Sequence, residues 1–175
     1  MPCRLQRAPL FKGVPLLIVC LLAIFAASCL RRPALRNTFD SPESLTRAVV
    51  DALAKQDLVR LAALAITEDE FRQLVWPKLP AARAGRNLPW SYVWEDLRSK
   101  SGHHLRGLVH AWNNRGFQVA RVSFAGETTD YQTHRIHRKT VVTLRDRSGQ
   151  ETTGRLFGST IEQNGRYKVF SYVVD

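Results

Sequence analysis

Residues 41–61 read SPESLTRAVVDALAKQDLVRL, and whether this stretch folds as a buried helix decides the class of the molecule. Ser41 suits an N-cap, Pro42 the first helical position, and Glu43 the positive end of the helix dipole. Leu45, Ala48, Val49, Ala52 and Leu53 then recur at the i, i+3, i+4, i+7, i+8 spacing that puts apolar side chains on one stripe. Asp57 can cap a second, short helix carrying Leu58, Leu61 and Leu64. Thr67 and Glu70 match a T-x-x-E capping box for a third, with Phe71, Leu74 and Val75 on its apolar side. Pro77 stops that helix.

Downstream, WPKLPAARAGRNLPW (76–90) holds three prolines and a glycine and reads as a surface loop, a candidate lid or rim. Ser91 is the expected cap of a longer helix with Val93, Leu97, Leu105, Leu108 and Trp112 on one face, weakened at Gly102 and Gly107. From Phe117 the period falls to two. FQVARVSF (117–124), YQTHRIHRKTVVTLRD (131–146), TGRLFGSTI (153–161) and YKVFSYVV (167–174) read as four strands in an antiparallel meander. Asn164-Gly165 between the last two suits a type I′ hairpin turn. Helices first and strands second give an α+β class. Gly154 and Gly158 inside a strand imply a bend, so the expectation is a curved four-stranded antiparallel sheet with the helices packed on it.

That order, with the opening proline, acid, apolar helix, alanine and aspartate run of 41–61, resembles the nuclear-transport-factor-2-like superfamily, the cystatin-like α+β cone. The likeness spans roughly residues 41 to 175, a single domain. It implies a conical cavity between sheet and helices, and a fold of this kind does not by itself assign an activity.

Upstream lies a different kind of sequence. Arg4, Arg7 and Lys12 precede an apolar stretch from Val14 to Ala27, which ends in FAASCLRR (25–32). An apolar span of about 14 residues fits a secretory signal and is short for a membrane-spanning helix, which needs about 20. Ala26-Ala27-Ser28-Cys29 resembles the lipobox of bacterial lipoprotein signals, with Ala26 where Leu is usual. The resemblance implies cleavage after Ser28, a diacylglycerol on the Cys29 sulfur and a second acylation of the freed amine. Residues 1–28 are then the signal peptide, and 29–40 the lipidated cysteine and a basic tether. Two or more acyl chains hold a protein stably at a membrane where one does not. Leu30 in place of Asp after the cysteine resembles the outer-membrane sorting signal in a host with two membranes. Two other readings of the same residues stay open: ordinary secretory cleavage at the small-x-small pattern, and an uncleaved anchor over Val14–Leu30.

Cys3 and Cys20 fall in this leader and Cys29 is the last cysteine, so no disulfide framework exists beyond it. The whole chain carries 26 basic and 15 acidic residues, net +11. Setting aside the three basic residues of the leader leaves 23 against 15, or +8, which favours anionic surfaces and polymers. Arg135, Arg138, Lys139, Arg145 and Arg147 form a basic strand-pair surface. An exported address argues against nucleic acid as its partner.

Candidate chemistry is sparse. His103 and His110 share a helix face at a spacing of seven, and His134 and His137 point to opposite faces of a strand. With no cysteine or carboxylate cluster around them, no metal and no cofactor is expected. A general base deep in a cone, the arrangement used by isomerases and cyclases of the resembled superfamily, would fall to Asp130 or His134, with Glu127 and Tyr131 nearby. Trp90, Tyr92 and Trp94, with Trp76 and Trp112, are candidates for an apolar binding mouth, or else they are core. The resulting expectation is a lipid-anchored protein of the bacterial cell envelope, facing the periplasm or exterior, with a non-catalytic domain for a small ligand or protein partner. The alternatives are a cavity enzyme using a buried acid or histidine, and a basic adaptor for anionic envelope polymers.

Overall fold

The computed structural model describes residues 33–83, 85, 88–112 and 116–174, and residues 33–175 belong to one compact unit. The leader, with Ser28 and Cys29, lies outside the described residues. Among the described residues four α-helices precede seven strands in two antiparallel sheets, so the α+β class holds.

Helix α1 (Pro42–Ala54) starts as its sequence dictates. The Ser41 side chain accepts from the Ser44 N–H, and the Ser44 hydroxyl returns the bond to the Ser41 backbone. Leu45, Val49, Ala52 and Leu53 are fully buried, each large apolar side chain contributing roughly 1.5–3 kcal/mol on leaving water. Gln56 turns the chain in a left-handed conformation (φ +53°). Asp57 then caps α2 (Leu58–Leu64) by accepting from the Arg60 N–H. The Thr67–Glu70 capping box forms and opens α3 (Glu68–Glu70), which widens into a π-turn over Phe71–Val75. Helix α4 (Trp90–Ala111) begins one residue before the expected Ser91 cap, on Pro89, and runs on through Gly102 and Gly107.

The strand half differs from a four-stranded meander. Strands β1 (Gln118–Phe124), β4 (Thr140–Arg145) and β5 (Glu151–Gly154) form one sheet in the order β1-β4-β5. Strands β2 (Thr128–Asp130), β3 (Arg135–Arg138), β6 (Ser159–Gln163) and β7 (Arg166–Ser171) form the other, in the order β2-β3-β6-β7. Both middle strands of the expected meander are cut in two. Lys139 takes a left-handed backbone (φ +52°) and separates β3 from β4. Residues 155–158 separate β5 from β6, where the buried Phe157 meets Tyr172 edge-on at 6.5 Å. A seam joins the halves: Thr140 donates to the Gly158 carbonyl, and Gly158 donates to Ser171, both at 3.0 Å.

Two apolar clusters result. One gathers α1, α2, Leu105, Val142, Leu144 and Tyr172. The other sets Ile66, Phe71, Leu74 and Trp94 against Ile136 and Ile161 of the second sheet. The edge strand β7 is covered by the N-terminal half: Phe39 pairs with Tyr167 through two backbone bonds, and the Ile66 N–H donates to Val169 at 2.9 Å. The segment expected as a linker is tied down as well. Gln163 donates to the Pro33 carbonyl and accepts from the Leu35 N–H.

Two glycine substitutions should move stability in opposite directions. A Cβ on Gly158 would collide with the Val173 carbonyl, whereas one on Gly107 meets nothing within 4 Å. Gly158→Ala is expected to destabilise by at least about 2 kcal/mol. Gly107→Ala should stabilise by up to about 1 kcal/mol through helix propensity. Denaturant midpoints check both.

Candidate functional site

An apolar cleft of about 250 Å³ opens where α2 and the chain after it face α4 and the end of β7. Ala65 and Ile66 form one wall, Leu97 and Leu105 the other, and Phe170 lies between them. Polar atoms of the wall are already used internally. The Ser101 hydroxyl accepts from the Tyr172 N–H at 3.0 Å. The buried Tyr172 hydroxyl donates to the Leu61 carbonyl at 2.7 Å, and burial pushes that phenol well above its ordinary range. Arg98 lines the cleft, is exposed, and makes no ion pair among the described residues. Gly102 leaves space at the wall, since a Cβ there would touch only the end of Arg106, at 3.5 Å. Such a site can hold an apolar group and place an anionic head near Arg98. It presents no acid or base to that group.

Of the aromatic residues picked out from the sequence, Trp94 reaches this cleft. Its ring is buried, 5.4 Å from Phe71. Trp90 is half-buried under the Arg72 guanidinium, 5.5 Å from the ring centre. Tyr92 is 64% exposed and belongs to neither apolar cluster. Helical geometry sets Tyr92 apart: it stands about 200° around α4 from both tryptophans, whereas Trp90 and Trp94, four residues apart, share one face and both join the second apolar cluster.

Asp130 and His134 do lie together, on a polar hollow of about 270 Å³ that also takes in Thr133, Arg135, Glu162 and Asn164. Neither has the character of a poised base. Asp130 is exposed, accepts from the Gln132 N–H at 2.7 Å and from Arg135 at 3.1 Å, and these bonds hold its carboxyl below the usual range. His134 is buried, stacked on Tyr131 at 5.0 Å, and its Nε2 has no hydrogen-bond partner among the described residues. Burial, helped by the Lys78 charge and opposed by Asp130, lowers its pKa from 6.5 to about 4. Among the described residues no cluster of three potential metal ligands occurs. The basic strand surface is partly neutralised, since Arg135 pairs with Asp130 and Arg145 with Glu151.

The sequence offers His137 only as a possible metal ligand, and nothing in it points to Thr128 or Glu162 as its partners. Side-chain bonds join the three. Only the register of β2, β3 and β6 brings them together, and no local spacing carries that register.

His134 should make the fold sensitive to acid. Its folded pKa lies below its unfolded one, so between pH 6.5 and about 4 the unfolded chain takes up a proton that the folded chain refuses. Stability should therefore fall as the pH drops through that window. His134→Phe, which keeps a ring against Tyr131, should flatten the slope measured by urea unfolding at stepped pH.

Searches against protein-family models, curated proteins and solved structures find no match to this chain.

Proposed function

We propose that this chain is a lipid-anchored protein of the bacterial cell envelope whose α+β body holds, in an apolar cleft that performs no chemistry on it, a small apolar or amphiphilic ligand or the apolar side chain of a partner protein. The anchor is assigned to acyl groups on Cys29, placing the body on the periplasmic or outer side of a membrane. Support for the anchor comes from the basic start, the short apolar run and the small residues ahead of the last cysteine. No helix among the described residues is long and apolar enough to cross a membrane. We also infer kinship with the cone-like superfamily, supported by the helices-then-strands order and by two hairpin arms that pass from one sheet to the other at Lys139 and at residues 155–158.

The observation that carries the binding reading is the cleft between α2 and α4: apolar walls, internally satisfied polar atoms and one open arginine. Apolar lining with few polar groups is the usual make-up of a small-molecule site, in which a rim charge fixes orientation.

Two measurements test the two halves of the reading. Intact mass of protein extracted from membranes should show an acylated chain beginning at Cys29, and Cys29→Ala should lose both the acyl mass and membrane retention. A wild-type mass equal to the unprocessed chain overturns the anchor. For the cleft, a fluorescent fatty-acid analogue should bind saturably to the wild type. Gly102→Phe, which fills the cleft, should weaken that binding at least tenfold, about 1.4 kcal/mol. Equal binding by the filled variant overturns the ligand site.

A further inference from the structure

Thr128, His137 and Glu162 stand on β2, β3 and β6, which are neighbours in one sheet. Thr128 is directly opposite His137, and His137 opposite Thr160. Glu162 is two residues from Thr160 along β6, so all three side chains leave the same face. His137 Nε2 lies 2.8 Å from Glu162 Oε2, and its Nδ1 lies 2.9 Å from Thr128 Oγ1.

The donor roles follow from chemistry. A carboxylate only accepts, so Nε2 carries the hydrogen that Glu162 receives. In a neutral ring Nδ1 is then an acceptor, and the Thr128 hydroxyl must donate to it. The Phe124 ring stacks on the imidazole at 4.2 Å and 12°, fixing its plane. Arg135 lies 3.6 Å from the other oxygen of Glu162 and helps hold that carboxylate in place. Exposure runs one way along the chain of bonds. The Glu162 and His137 side chains are only 13% and 10% exposed, whereas Thr128 is open to solvent on the edge strand. The ladder of bonds therefore runs from a buried carboxylate to a hydroxyl that a solute can reach.

We propose that Thr128 is an activated nucleophile toward small polar acyl esters, with His137 as its general base and Glu162 as the positioning residue. A hydroxyl bonded to a base that is itself oriented by a carboxylate is the general arrangement for acyl transfer. The polar hollow of about 270 Å³, which shares Glu162 and begins at Asp130 and Arg135 two residues along the strands, is the nearest recess for the acyl or alcohol part of the ester. Thr128 Oγ forms a bond to the ester carbonyl carbon while its proton passes to His137 Nδ1. The bond to the leaving alkoxide then breaks, and the alkoxide takes that proton. Water attacks the acyl-threonine with His137 accepting its proton, the acid leaves, and the proton returns to Thr128. Water is the only co-reactant. This site is separate from the apolar cleft and does not depend on it.

p-Nitrophenyl acetate tests the proposal on the full chain, with peptide mapping of acetylated residues and p-nitrophenolate release as readouts. Thr128 should be acetylated, or turn over, faster than the exposed Thr152 and Thr153. Thr128→Ser should keep this reactivity. Thr128→Val, an exposed β-branched replacement, should abolish it. Glu162→Gln should slow reaction at Thr128 about tenfold or more while leaving Thr152 and Thr153 unchanged, which a merely structural carboxylate would not do. A Thr128 no more reactive than Thr152 and Thr153 overturns the proposal, and so does an equal rate at Thr128 in Glu162→Gln.

Discussion

A buried carboxylate ties the helical half of this fold to its second sheet. Glu70 and Lys168 meet at 2.9 and 3.1 Å, with their side chains 5% and 0% exposed. Taking two ions out of water costs several kcal/mol each, and attraction repays it only when the remaining bonding positions are filled. Here they are filled. Glu70 also accepts from the Arg36 N–H at 2.7 Å, the Thr67 N–H at 2.8 Å and the Thr67 hydroxyl at 3.0 Å. Burial alone would raise its pKa, yet the bonds from Arg36, Lys168 and Thr67 together carry it below the ordinary value of 4.5. Its contribution to stability is therefore present at neutral pH and is lost as the pH falls below that value.

Position makes this pair matter more than its net energy does. Lys168 sits on β7, Glu70 on α3, and Arg36 in the segment entering α1. Thr67, which the carboxylate holds twice, lines the apolar cleft beside Ile66, and Phe170 comes from the same strand as Lys168. The ion pair thus fixes the Ile66–Thr67 wall of the cleft against β7, while neither Glu70 nor Lys168 lines the cleft itself. Residues 33–39 are drawn onto the body by the same group and by Gln163 and Tyr167.

Local rules made much of this fold legible. The S-P-E start of α1, the Thr67–Glu70 box and the Asn164-Gly165 turn, with φ of +52° and +70°, each follow from chemistry within four residues. What stayed hidden needs partners far apart. Nothing in YKVFSYVV marks Lys168 as buried, because its partner stands 98 positions away. Glu70 was legible as a cap and not as half of an ion pair. Lys139 breaks a continuous β pattern by adopting a left-handed backbone that lysine does not favour, and nothing in its neighbours announces that. Closeness in sequence groups Tyr92 with Trp90 and Trp94, although the helix turns Tyr92 about 200° away from both and leaves it exposed.

The dependence on Glu70 and Lys168 can be measured with a double-mutant cycle. Urea unfolding at pH 7 would compare the wild type with Glu70→Gln, Lys168→Met and the double variant. Each single change leaves an uncompensated partner in the interior and should cost about 3 kcal/mol or more. The double variant should cost less than the sum of the two by at least about 1 kcal/mol. Small and additive losses would contradict the claim that this pair holds the helical half to the sheet.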